Sequence, residues 1–239
     1  MKIIIKIGTA AVFDSEKKRI KEDILKNLAG DISKLVEEGN EIIVVTSGAV
    51  GCGRGIIHGN GELGLKQAQA AVGQIILMEK YSSVFSEYNL NIAQFLLNSK
   101  DLYEKNRIEN LRETYKNLKG KAIPVVNEND VTSIEELEVG DNDTLASRLL
   151  FSMNFDILII LTEMGALIKN KIPLKKSDLF DVEDYDKMNL PSNGFGGLKS
   201  KLDSAKTIIS NKKRCIIAKA GDSISDILSG KAITTEFVD

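Results

Sequence analysis

The chain has 239 residues, 43% of them apolar and 28% charged, with a formal net charge of −2. That is enough apolar material for one large α/β domain or two small ones, and the charge argues against broad binding to nucleic acid or a membrane surface. Its apolar runs are far shorter than the ~20 residues of a membrane helix, Met1 to Lys6 reads as a strand rather than a signal peptide, and Cys52 and Cys215 are too few for a disulfide framework, so a cytoplasmic protein with no membrane or nucleic-acid partner is expected.

In chain order, Ile3 to Ile7 is a buried strand, and Arg19 to Glu38 carries a helical stripe through Ile20, Ile24, Leu28, Ile32 and Leu35, stopped by Gly39-Asn40. Glu41 to Thr46 is the next strand. Leu63 to Tyr88 is a long helical stretch with Ala68, Ala71, Val72, Ile75, Tyr81 and Phe85 as its expected inner face and Gly73 as a potential break. Asn91 to Leu97 is a strand, Asp101 to Leu118 a charged helix, and Ala122 to Val126 a further strand. A second half opens with the strand Asp156 to Thr162, passes through an irregular polar excursion from Lys169 to Gly194, and closes with the helix Leu198 to Ile209 and strands at Arg214 to Ala218 and Ile233 to Val238. Cys215 falls in one of these strands and reads as a core residue. Strands alternating with helices predict an α/β fold, a three-layer αβα sandwich around a mostly parallel sheet. There is one soft division near Asn154, which makes residues 1–239 a single domain with halves of about 1–154 and 155–239.

Four segments at strand ends or helix starts can carry chemistry. At the end of the first strand, Gly8 lets the backbone approach a ligand, and Lys6 either pairs with an anion or snorkels to water from an edge. After the second strand, Thr46-Ser47-Gly48-Ala49 can form an anion nest or be an ordinary turn. Gly51, Gly53 and Gly55 extend a flexible segment that matches neither a dinucleotide fingerprint nor a Walker A loop. The runs Asn127-Glu128-Asn129-Asp130 and Gly140-Asp141-Asn142-Asp143 hold more acids and amides than helix capping requires, and suit a ligand with an ammonium group. Gly194 to Lys201 is a glycine-rich loop opening a helix, a shape that cradles phosphate. His58 is the single histidine and reads as solvated; neither a zinc cluster nor a Ser-His-Asp triad has support.

Taken together, KIGT (6–9), VTSGAVGCGR (45–54), QAAVGQ (69–74), VVNEND (125–130), EVGDNDTLA (138–146), IILT (159–162) and GGLKSKL (196–202) resemble the amino-acid kinase family, and within it the glutamate 5-kinase branch, over nearly the whole chain. The resemblance implies the amino-acid kinase fold and transfer of the ATP γ-phosphate, with Mg²⁺ carried by the nucleotide, to the side-chain carboxylate of L-glutamate in the first step of proline synthesis. It implies catalytic roles for Lys6, Lys201 and Asp143, with Asp143 holding both lysines. It places the acceptor on Ser47, Gly48, Asn127, Asp130 and Asn142, and the nucleotide on Lys6, Gly8, Thr162, Glu163, Gly196, Gly197, Lys199 and Lys201, with no metal held by protein. Proline as a feedback inhibitor and a homodimer or tetramer, with the Leu63 to Tyr88 helix as a contact, are implied in the same way. The chain departs from the family at Glu163, where Asp is usual, at Met164 to Ile168, and at Phe195, which replaces a small hydroxyl residue. The C-terminal RNA-binding-like PUA domain of many such kinases is not expected in a chain ending at Asp239. Two alternatives stay open: a kinase of another carboxylate or phosphate acceptor, and a non-catalytic amino-acid-binding regulator.

Overall fold

A computed structural model describes residues 1–132, 142–169, 172–173, 176–177 and 198–237. Its centre is a sheet built on six parallel strands: β1 (Lys2–Ile7), β4 (Glu41–Val45), β5 (Ile92–Leu97), β6 (Ile123–Glu128), β7 (Ile157–Thr162) and β11 (Arg214–Lys219). Two further strands extend it, β10 (Lys176–Ser177) and the antiparallel β12 (Thr235–Phe237), giving the order β10-β12-β11-β7-β1-β4-β6-β5. Runs such as Ile3-Ile4-Ile5 and Ile157 to Leu161 are apolar at every position because both sheet faces are covered. Two-residue strands β8 (Ile168–Lys169) and β9 (Ile172–Pro173) pair with each other.

Strand alternation sorts the core into two layers. Ile3, Ile5 and Ile7 pack with α2 (Glu22–Glu37) and α4 (Leu63–Ser86), together with the short helices α1 (Thr9–Val12), α3 (Ala49–Gly53) and α8 (Ile224–Ser229). Ile4 faces the opposite layer, formed by α5 (Lys105–Leu118), α6 (Asn142–Ser152) and α7 (Leu198–Ser210). The period of two therefore puts Lys6 on the α6–α7 face. Because the strands flanking β1 run parallel to it, their C-terminal ends open on one edge, where ligands of such sheets bind.

Several local expectations change. The helix expected from Arg19 begins at Glu22; Arg19–Ile20 forms β3, pairing with β2 (Phe13–Asp14) in a hairpin. The glycine segment after Gly48 is the helix α3 rather than a flexible loop. Helix α4 runs unbroken through Gly73; Tyr81 and Phe85 of its expected inner face are buried, but the N-terminal part is out of phase: Ile75 is 72% exposed and Ala68 and Ala71 are exposed, whereas Gln69, Gln74 and Leu77 are buried. Hydropathy fails there because two glutamines turn inward to make polar contacts. Gln69 donates to the carbonyls of Ile57 and Gly59, and Gln74 accepts from Asn127.

Gly73 is a point of contact. A Cβ there would lie 1.8 Å from the Ala49 carbonyl oxygen, and one at Gly53 would lie 1.8 Å from that of Gln69. Helices α3 and α4 thus touch backbone to backbone, fixing the turn that precedes α3. Gly73→Ala is expected to destabilise the protein by roughly 1–3 kcal/mol, a fall of ~4–10 °C in Tm for a chain this long. Gly64→Ala, where a Cβ meets nothing within 4 Å, should cost nothing. Thermal melts of both variants check this, and equal Tm values would refute the close-contact role of Gly73.

Candidate active site

The site is organised by one carboxylate. Asp143 lies in the first turn of α6 and is fully buried. Its Oδ1 is 2.6 Å from Lys6 Nζ and its Oδ2 is 2.9 Å from Lys201 Nζ, with the Ser200 hydroxyl 3.3 Å from Oδ2. Lys6 is only 3% exposed, on the central strand between Val45 and Ile160, so the edge-snorkelling alternative does not hold. Burial by itself would raise the Asp143 pKa, but the two ammonium groups outweigh it and hold the carboxyl below its ordinary range. Both ammonium groups lie at the edge where the parallel strands end, which suits an anionic ligand.

Beside this triad, amides link three elements. Asn142 Nδ2 is within 2.7 Å of the Thr46 carbonyl, 2.9 Å of Ser47 Oγ and 2.9 Å of Asn127 Oδ1. Asn127 Oδ1 also accepts from the Glu128 N–H, and Asn127 Nδ2 donates to Gln74 Oε1 at 2.8 Å. A backbone carbonyl and a backbone N–H therefore set the orientation of the Asn142 and Asn127 amides and, through them, of Gln74. Among the described residues, neither Asn142 Oδ1, an acceptor, nor Gln74 Nε2, a donor, has a partner. Tyr81, in the middle of α4, braces the same strand end by donating to Thr46 Oγ1 at 2.9 Å. Gly48 has φ 104°, a left-handed conformation that only glycine adopts freely, and it turns the chain from β4 into α3.

A cavity of about 580 Å³ opens next to these groups, lined at one end by Gly48, Asn127 and Asp130. Asn127 and Glu128 are the last residues of β6 rather than part of the following loop, which leaves Asp130 in the turn beyond the strand. Asp130 is buried, and desolvation pushes its pKa up to about 6. At neutral pH it is a poorly solvated carboxylate, whose cheapest partner is a ligand cation.

On the other side of β1, the Gly8 N–H donates to the Leu161 carbonyl, joining the ends of β1 and β7. The Thr162 hydroxyl closes the turn to Gly165, accepting from its N–H at 2.8 Å. Glu163 is 2.6 Å from Lys21 Nζ, which also donates to the Ala10 carbonyl. Lys199 lies in the first turn of α7. Gly196, Gly197, Phe195, Gly140, Asp141 and most of the expected 169–194 excursion fall outside the described residues. Sequence reasoning placed Tyr81 on the inner face of α4 without a polar role and gave no role to Gln74, Lys21 or Ser200. The hydroxyl on a buried stripe was the available signal for Tyr81; spacing carried none for Gln74, Lys21 or Ser200.

Residues 1–219 match the amino acid kinase family. The chain belongs to that family. Among curated members, it is 34% identical to the glutamate 5-kinase of Dictyoglomus thermophilum over 229 residues, covering 92% of this chain and 62% of that one. It is 35% identical to the glutamate 5-kinase of Methanosarcina barkeri over 262 residues, covering 99% and 68%. The chain thus spans 62% and 68% of the length of these two relatives. Its fold is that of the family: it superposes on the Giardia carbamate kinase with a TM-score of 0.67 at 17% identity, covering 100% of this chain and 98% of that one. On the UMP kinase of Ureaplasma parvum the TM-score is 0.65 at 13% identity, covering 100% and 99%. Among the described residues, no helix is long and apolar enough to cross a membrane.

Breaking the triad at its centre leaves two buried lysines facing each other. Asp143→Asn is expected to cost roughly 3–5 kcal/mol at pH 7. Because the folded pKa of Asp143 lies below its unfolded value, its contribution is complete above pH ~4 and lost as pH falls further, through the folded pKa. Urea denaturation of both proteins from pH 7 downward should show a gap that is constant to pH ~4 and then narrows. Equal stability at pH 7 would remove the triad from the account.

Proposed function

We propose that the protein transfers the γ-phosphoryl group of ATP to the side-chain carboxylate of L-glutamate, giving γ-glutamyl phosphate and ADP, as its relatives' names suggest. The observation that carries this reading is the Asp143 carboxylate bridging Lys6 and Lys201 beside a pocket of oriented amides and a buried Asp130.

The reaction joins two anions. Two unit charges ~4 Å apart repel by roughly 4 kcal/mol at an effective dielectric of about 20, about a thousandfold in rate if uncompensated. Phosphoryl transfer needs positioning and positive charge more than covalent help. Lys6 and Lys201, held on opposite oxygens of Asp143, supply that charge where the acceptor and nucleotide halves meet. The acceptor carboxylate oxygen forms the new bond to phosphorus as the bond to the β–γ bridging oxygen breaks, and ADP leaves with the electron pair. The Gly48 backbone N–H and the Ser47 hydroxyl border this point, with Gly8, whose own N–H is bonded to the Leu161 carbonyl, leaving room for the phosphoryl group, while Asp130 and Asn142 Oδ1 offer acceptors to the α-ammonium group. The glycine-rich segment with Gly196, Gly197 and Lys199 leads into α7 and takes the phosphates. Mg²⁺ is held chiefly by phosphate and water.

For the nucleotide base, a cavity of about 500 Å³ lies beyond β7 and β11, with Met164, Gly165, Lys219 and Ser223 in its walls. Met164 is 77% exposed there and offers an apolar surface to a planar ring. Thr162 then acts by shaping the turn that carries Met164, and Glu163 by tethering Lys21. Exposed Ile75 on α4 supports a dimer or tetramer built on that helix, which light scattering checks, and the acceptor pocket is where proline would compete.

The assay is ADP release with glutamate, aspartate, acetylglutamate or carbamate, with hydroxylamine trapping of the acyl phosphate. Hydroxamate from glutamate alone is expected. Lys6→Ala and Lys201→Ala should each lower kcat by roughly 10²–10³, as for loss of one transition-state donor. Turnover of another acceptor in its place, or parental rates in both variants, would overturn the assignment; glutamate binding without turnover would leave a binding protein.

A further inference from the structure

We propose that Arg54, with Lys18 beside it, holds the non-reacting α-carboxylate of the acceptor and so selects a dicarboxylic amino acid; this rests on the reading of the site given above. The cavity that begins at Asn127 and Asp130 continues outward between the β2–β3 hairpin and the segment after α3, where Lys18, Arg54 and His58 line it. Among the described residues, Asp130 is the one carboxylate that lines it, and no ion pair to Lys18 or Arg54 is formed. The described part of the wall therefore offers two cations and one anion to a ligand with two carboxylates and one ammonium group.

The inner pocket cannot easily take the α-carboxylate. The nitrogens of Asn142 and Asn127 are already directed at Thr46, Ser47, Asn127 and Gln74; what remains open is two acceptors, Asn142 Oδ1 and Asp130, and one amide donor, Gln74 Nε2, too few donors to hold a carboxylate on both oxygens. With the ammonium on those acceptors and the reacting carboxylate beside Lys6, the remaining carboxylate has to find donors farther out. A guanidinium supplies two parallel N–H groups in the spacing of a carboxylate.

Both cations sit on fixed backbone. Arg54 is the C-cap of α3, and its N–H bonds to the Val50 carbonyl; α3 is itself held against α4 at Gly53 and Gly73. Lys18 closes the hairpin turn in which Asp14 accepts from the N–H groups of Glu16 and Lys17. It has φ 50°, a left-handed conformation uncommon for a residue with a side chain.

Calorimetric titration without nucleotide, followed by hydroxamate kinetics on the same proteins, tests the assignment. Arg54→Ala should weaken glutamate binding and raise its KM about 10–100-fold, the range for a charge-assisted hydrogen bond to a carboxylate, with kcat within about threefold. Arg54→Lys should recover part of the loss, and Arg54→Ala/Lys18→Ala should lose more. Binding of 4-aminobutyrate, which keeps the reacting carboxylate and the amine but lacks the α-carboxylate, should not change. Glutamate Kd and KM within twofold of the parent in the double variant, or an equal loss for 4-aminobutyrate, would overturn the proposal while leaving the kinase activity in place. Weakened glutamate binding with no hydroxamate from the parent would uphold the role of Arg54 and overturn the activity.

Discussion

The sharing of one buried carboxylate by two lysines is the constraint on which the site depends. Asp143 has no exposure to water, and a lone carboxylate in that position would protonate instead of staying charged. Its two partners come from distant parts of the chain: Lys6 from the central strand, and Lys201 from a helix nearly two hundred residues later. Each needs the carboxylate as a counter-charge, and the carboxylate needs both to remain ionised. The geometry that results sets two ammonium groups on opposite oxygens of one carboxylate, where the sheet opens.

The surroundings of the triad are built to keep it in register with an acceptor. Asn142 precedes Asp143 on α6, so the same helical turn that presents the carboxylate also reaches the end of β4 and the end of β6. Gln74 and Tyr81, two turns apart on α4, hold the other sides of those strand ends. The close approach of α3 to α4 at Gly53 and Gly73 carries that rigidity to the Ser47-Gly48 turn. The triad, the amides and the Ser47-Gly48 turn are therefore one packed unit, and under the proposed function changes in helix packing should be felt at the chemistry.

Much of this was legible in the sequence. The β1, β4 and β7 strands were visible as near-continuous runs of Ile, Val and Leu, the pattern of a sheet buried on both faces. Of the excess of acids and amides at 127–130 and 140–143, Asn127, Asp130, Asn142 and Asp143 are buried at the ends of the strands, where capping alone did not explain them. The face of α4 was not legible: hydrophobic phase put Ile75 inside and Gln74 outside, and the reverse holds because Gln74 has its partner on another strand. The β2–β3 hairpin was hidden for a similar reason. Ile20 continues the apolar stripe of α2 but pairs across to Phe13, a non-local contact that a local period cannot report. The carboxylate of Glu163, a departure from the family pattern, pairs with Lys21, and residue spacing alone gave no sign of that partner.

The most direct test of the triad is a kinetic cycle in which Lys6→Ala is introduced into the parent and into the Asp143→Asn background. If Asp143 is what holds Lys6 in place, removing Lys6 should cost roughly 10²–10³ in kcat in the parent but less than about tenfold once Asp143 has been replaced, since coupled residues are strongly non-additive. Equal, additive losses in the two backgrounds would contradict the shared carboxylate as the organiser of the site.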